Sequence, residues 1–152
     1  MSTQPAADNF QAKPGLARLL AWVEQYALAL SLALGAVLRL AASNSRSLQY
    51  DDTFSIFLSA RSLPEILSGT AADTMPPLYY FLLHFWLGIS QQVWFIRLLT
   101  VLLSLAVIAI HYALVAHLFG RSAAGWASFL TAISALQIYH AQDVRMYALL
   151  LV

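Results

Sequence analysis

Residues 75–89 read Met75-Pro76-Pro77-Leu78-Tyr79-Tyr80-Phe81-Leu82-Leu83-His84-Phe85-Trp86-Leu87-Gly88-Ile89. How this stretch sits decides the arrangement of everything around it. Pro76 restricts Met75 to extended backbone. Pro77 suits the first turn of a helix, so a helix is expected over Leu78–Ile89. Its apolar length is about twelve residues, typical of an interfacial or re-entrant helix and too short to span. Its Tyr, Trp and His side chains fit an interfacial belt. If it does not cross a membrane, the spans are about 18–42, 93–119 and 122–139. The acidic positions Asp51, Asp52 and Asp143 then fall on one outer side and Arg121 falls inside, the side that positive residues prefer. If it crosses, the two acidic segments lie on opposite faces and cannot share a site.

Composition makes the membrane the natural frame. Of 152 residues, 61% are hydrophobic and only 10% charged; soluble domains hold about 45–50% and about 25%. Mean hydropathy is +0.70. There is no cysteine, which excludes disulfides, thiol nucleophiles and thiolate metal sites. The four histidines are scattered and form no metal-ligand spacing. Net charge is +1 with no basic cluster, so nucleic acid is not an expected partner.

Along the chain, residues 1–16 read as a disordered tail, placed in the cytoplasm by Lys13 and Arg18. Leu19–Ala42 is long enough to cross, with Glu24 and Arg39 near its ends, where polar heads reach the interface. Residues 43–92 form an outer loop. Within it, Ser43–Met75 carries six of the fifteen charged side chains: Arg46, Asp51, Asp52, Arg61, Glu65 and Asp73. A short helix is expected over Thr53–Ser62, capped by Asp52 or Thr53. Ser62-Leu63-Pro64-Glu65 signals a second helix, with Gly69 as its stop. Val93–Phe119 is the next span, Gly120-Arg121-Ser122 a tight break, and Ala123–Tyr139 a third span. A fourth starts at Met146. An apolar run at the end of the sequence leads us to expect the N-terminal piece of a longer protein. The expected fold is therefore all-α: a polytopic helical bundle with juxtamembrane helices in its outer loop.

Asp51 and Asp52 are the only adjacent acids. Neighbours on a helix point about 100° apart, so one does chemistry while the other caps a helix. The plain alternative is two solvated loop acids. Asp143 and Arg145 flank one position just outside a span, where charges often mark function or form an ordinary interface pair. Arg97 near the outer end of its span either grips a phosphate or snorkels. Tyr80 and His84 share a helix face, and His84 either bonds a substrate or holds structure. His111 and His117 read as structural.

The order of these pieces resembles the N-terminal region of polytopic glycosyltransferases of the GT-C fold. The likeness is strongest to bacterial relatives of protein O-mannosyltransferases and lipid A aminoarabinose transferases. It covers about residues 30–152. It rests on the outer Asp51-Asp52, on Asp73-Thr74-Met75-Pro76-Pro77-Leu78-Tyr79-Tyr80, on Arg97 at the start of a span, and on Gln142-Asp143-Val144-Arg145-Met146-Tyr147. The resemblance implies transfer of a hexosyl or pentosyl group from a polyprenyl-phosphate donor to a lipid, glycan or protein acceptor, on the non-cytoplasmic face of the plasma membrane. It matches Asp51 to the catalytic carboxylate. Asp52 stands where the family usually has Glu, and Asp143 matches the second acidic segment. Arg97 and Arg145 would stabilise the anionic leaving group, while Tyr80, His84 and Pro77 would line the substrate route. No cofactor is expected, and no divalent metal in this group. A fragment of this size is expected to be inactive alone. The competing class is a transporter subunit, with proton transfer through His111 and His117.

Overall fold

The computed structural model describes residues 14–43 and 47–150. Residues 1–13, 44–46 and 151–152 lie outside it, and with them most of the expected tail, Lys13 and Arg46. The described residues form eight helices and no strand: α1 Pro14–Ser43, α2 Tyr50–Ser59, α3 Leu63–Ala72, α4 Leu78–Leu87, α5 Val93–Phe119, α6 Arg121–Ile133, α7 Ala135–His140 and α8 Tyr147–Leu150.

Two of these helices are long and apolar enough to cross a membrane: α1, over Trp22–Ala41, and α5, over its whole length. They pack with α6 into a three-helix layer. Leu30, Val37, Leu40, Leu102, Leu114, Leu118, Trp126 and Leu130 are exposed on its outside. So much exposed apolar surface is foreign to a soluble monomer. Inside the layer, polar groups find one another. Ser31 and Ser128 hydroxyls lie 3.1 Å apart between α1 and α6. His111 Nδ1 lies 3.2 Å from Thr131 Oγ1. Because Thr131 already donates to the Ala127 carbonyl, the imidazole is the donor to it. Gly120, at φ 86°, makes the turn from α5 to α6, a backbone conformation that glycine adopts without strain.

Two expectations about this layer are corrected. The third span was expected as one helix over 122–139. It is instead broken at Ser134, leaving α6 with 13 residues, about 20 Å at 1.5 Å per residue. Arg39 was expected to snorkel to the interface. It is 0% exposed and points inward. Its Nε donates to Ser104 Oγ at 2.8 Å, and its Nη1 to the Gly35 and Ala132 carbonyls at 3.2 and 3.0 Å. Its Nη2 donates to the Thr131 carbonyl at 3.4 Å. The break and the buried guanidinium meet at the same place: Thr131 and Ala132 are in the last turn of α6, where carbonyls run short of helical partners; the Ser134 amide donates to the Thr131 carbonyl at 3.4 Å, and the guanidinium reaches both carbonyls.

The second packing unit lies at the end where α1 stops and α5 begins. Here α2 and α3 pack on α4, and α4 on α5. Leu58, Ile66, Tyr79, Tyr80, Leu83, Leu87, Ile96 and Leu99 form its core, joined by Val144 from the far end of the sequence. The short helices begin where local chemistry says they should. Ser62 and Glu65 form the capping box of α3. Gln49 and Asp52 form that of α2, so α2 starts at Tyr50, three residues before the expected Thr53. Gly69 was expected to stop α3, but lies inside it; a Cβ there would meet Leu58 Cδ1 at 2.6 Å, so the glycine serves helix contact. The helix ends at Asp73 in a Schellman motif: the Met75 amide donates to the Thr70 carbonyl at 2.9 Å and that of Thr74 to Ala71 at 3.4 Å. Thr74 takes the left-handed position at φ 53°, where glycine is usual. Pro77 opens α4 as expected, and α4 has only ten residues.

Candidate functional site

The first turn of α2 carries both acids, and they point to different fates. Asp52 is 2% exposed. Its Oδ2 accepts the Gln49 amide at 3.1 Å, the reciprocal bond of a capping box. Its Oδ1 accepts the Val144 amide at 2.8 Å. Both oxygens are therefore spent on backbone, and one of these bonds joins positions 92 residues apart. Val144 is held from both sides, by this carboxylate and by the apolar core that buries its side chain. Asp51, one residue earlier, turns outward, and its side chain is 59% exposed. Its Oδ2 lies 3.4 Å from Arg145 Nη2. The two acidic segments, far apart in sequence, thus meet at one place.

Around this ion pair the environment is partly closed. The Arg145 side chain is only 12% exposed, and its guanidinium carbon lies 5.8 Å from the Tyr147 ring centre. Burial by itself would lower its pKa, but the hydrogen bond with Tyr147 and the charge of Asp51 outweigh that and raise it. Tyr80 is fully buried, and its hydroxyl donates to Met75 Sδ at 2.7 Å. Burial pushes this phenol up; the Ser55 hydrogen bond and the Arg145 charge pull against it. Asp143 Oδ2 lies 3.5 Å from His140 Nδ1, and the His140 ring lies 4.8 Å from that of Tyr147.

The expected residues divide accordingly. Asp51, Asp52, Asp143, Arg145 and Tyr80 are gathered at the junction of α2, α4 and the segment 140–147. Arg97 is 3% exposed, and its Nη2 donates to the Ser47 carbonyl at 3.3 Å, so it holds the segment that leads into α2. His84 is not brought to Asp51. Its Nδ1 lies 2.8 Å from the Ser59 carbonyl; a carbonyl only accepts, so this nitrogen carries the proton. Ser59 is eight residues from Asp51, about 12 Å along α2. His84 instead lines a separate cavity of about 470 Å³ with Ile56, Phe57, Ser59 and Gln91. Pro77 serves as the start of α4. Sequence reasoning gave no site role to His140, Tyr147 or Ser55. Tyr147 was visible as an aromatic two positions after Arg145; nothing in the sequence pointed to Ser55. Among the described residues, no three His, Asp or Glu gather as a metal-sized group.

Comparison with protein-family models, with curated proteins and with solved structures gives no match to this chain.

Proposed function

We propose that this chain forms part of a membrane glycosyltransferase that takes a sugar from a polyprenyl-phosphate donor on the non-cytoplasmic face, with Asp51 as the general base. The observation that carries the reading is the outward carboxylate of Asp51 beside the nearly buried guanidinium of Arg145, at the end of two membrane-length helices.

Transfer needs two charges of opposite sign close together. The acceptor hydroxyl attacks the anomeric carbon, and its proton passes to the Asp51 carboxylate. The bond from that carbon to the phosphate oxygen breaks, and the electron pair leaves on the phosphate. Arg145 sits where it stabilises that anion. A single displacement of this kind inverts the anomeric centre. Asp52 is buried, with a backbone amide on each oxygen, and holds the segment that carries Arg145. A donor with a lipid tail accounts for a site at a membrane surface, with exposed Phe54, Phe57, Leu78 and Phe85 on the neighbouring short helices.

A third crossing by residues 121–140 belongs to this proposal. Supporting it is the closure of the chain: α5 leads away from the acidic end, yet Val144 is back at Asp52. The broken pair α6–α7 is the return path. The transporter alternative has less support. His111 is tied to Thr131 and His117 is exposed in the last turn of α5.

The test is Asp51→Asn in the intact enzyme, in membranes, with labelled polyprenyl-phosphate sugars. Transfer should fall about 10²- to 10⁴-fold, the usual contribution of a general base, at unchanged membrane level. Retained transfer removes Asp51 as the base.

A further inference from the structure

A buried arginine in an apolar layer is costly, and Arg39 touches nothing in the candidate site. Its place in the fold explains it. Helix α6 stops at Ile133 with neither glycine nor proline at the break; the following residues are Ser134 and Ala135. An uninterrupted helix would give the Thr131 carbonyl to the amide of residue 135 and the Ala132 carbonyl to that of 136. Both carbonyls instead face the Arg39 guanidinium, at 3.4 and 3.0 Å; Thr131 also accepts the Ser134 amide at 3.4 Å, while the closest donor to the Ala132 carbonyl is Arg39. The guanidinium is itself fixed by Ser104 on α5 and by the Gly35 carbonyl one turn back on α1. The space it occupies exists because position 35 has no side chain: a Cβ there would lie 3.1 Å from Nη1 and 2.6 Å from Ile108 Cδ1. After the break, Ser134 starts α7 with its hydroxyl accepting the Gln137 amide at 3.5 Å. Six residues later the chain turns into Ala141–Arg145.

We propose that Arg39 is a positioning residue: by capping the broken end of α6 it sets where that helix ends, and so seats the segment 140–145 against Asp51 and Asp52. Without the guanidinium, the cheapest partners for the two carbonyls are the amides of residues 135 and 136. Helix then runs on through Ser134, and the added turns carry Val144 and Arg145 away from α2. This inference rests on the transferase reading only for the purpose of the placement; the placement is measured without any assay of transfer.

The chain has no cysteine, so two thiol reporters can be installed cleanly in the intact protein in membranes. Asp51→Cys with Arg145→Cys, joined by a short bifunctional thiol reagent, reports the seating of the segment. Ser31→Cys with Ser128→Cys, whose hydroxyls are 3.1 Å apart, reports by disulfide formation that α1 and α6 still pack. In an Arg39→Met background the first bridge should form about ten-fold less, the factor that one hydrogen bond to a charged group is worth, while the second forms as before. Unchanged bridging at 51 and 145 overturns the proposal. So does equal loss of both bridges, because Arg39 would then hold the whole layer and not the break. Absence of sugar transfer in the intact chain with Asp51, Arg145 and Arg39 all in place ends the transferase reading and leaves the placement result intact.

Discussion

Replacing Asp52 by alanine and by asparagine should give two different results, and the difference follows from which of its partners water can reach. The carboxylate accepts one amide on each oxygen: Gln49 at the start of α2 and the buried amide of Val144. Asparagine has one acceptor oxygen. It should turn that oxygen to Val144, whose bond is buried, and leave the Gln49 amide to water at the helix end. The cost is then a weakened bond and a lost cap, about 1–2 kcal/mol together. Alanine strands the Val144 amide as well. A lost hydrogen bond to a charged group costs about 1.5–3 kcal/mol, and with about 1 kcal/mol for the cap the sum is about 2.5–4 kcal/mol. Hydrogen exchange over residues 141–146 reads this locally. At about 1.4 kcal/mol per ten-fold, the Val144 amide should exchange about 10- to 100-fold faster in Asp52→Ala and less than about ten-fold faster in Asp52→Asn. Asp51→Ala serves as the contrast: it removes an ion pair with a largely exposed carboxylate, worth at most about 1 kcal/mol, and should leave Val144 protected. If alanine and asparagine at 52 speed exchange equally, or if Asp51→Ala speeds it as much as Asp52→Ala, the clamp is not where the segment is held.

Three further outcomes are expected. Cysteines placed one at a time at 51 and 143 should be labelled by an impermeant thiol reagent from the outside of intact cells, and one at 121 only after permeabilisation; labelling of 51 and 143 from opposite sides refutes a shared site. Thr74→Gly should raise stability by about 1 kcal/mol, measured as resistance to thermal inactivation, because a left-handed β-branched residue gives way to the one that adopts φ 53° freely. The Glu65 carboxyl is held below its ordinary 4.5 by the Ser62 hydroxyl and amide, with Arg61 helping. A depressed carboxylate contributes stability above its unfolded pKa and loses it as pH falls through the lower folded value. Unfolding of α3 should therefore be promoted by acid below 4.5 in the native chain, and Glu65→Gln should flatten that dependence; an unchanged acid profile in Glu65→Gln counts against the capping box.

Local signals in this chain were legible wherever one residue type answers one local need. Ser62 and Glu65 announce α3, Pro77 opens α4, and Gly120 closes α5. The span of α5 was readable to its last residue because an unbroken apolar run has few alternatives. The division of labour at Asp51-Asp52 was half readable. Adjacent residues on a helix diverge, so one had to cap and the other to face away. Which did which depended on the register of α2, and that register is set by Gln49, a residue type that advertises no cap. His84 and Tyr80 show the limit of helical spacing. They share a face of α4, yet the chain that crosses that face is α2. Its Ser59 carbonyl takes His84, while Ser55, one turn earlier, meets Tyr80.

Arg39 marks the deeper limit. In a sequence, a charge near the end of an apolar run is assigned by the nearest water. Beside the Ser104 hydroxyl and the Gly35 carbonyl, its partners include two carbonyls 92 and 93 residues away, and carbonyls are present at every position, so no residue type betrays them. They become available only because α6 breaks, and the break carries no glycine or proline because Arg39 removes the need for either. Cause and consequence are each invisible without the other. That makes the pair informative together: a break without a breaker implies an outside donor, and a buried guanidinium without a carboxylate implies exposed carbonyls. Asp52 obeys the same logic with the sign reversed, a buried carboxylate without a cation, satisfied by two amides. Asp52 is thus held by backbone amides, and Arg39 by backbone carbonyls together with the Ser104 hydroxyl. The ion pair between Asp51 and Arg145 lies where a substrate can reach the carboxylate.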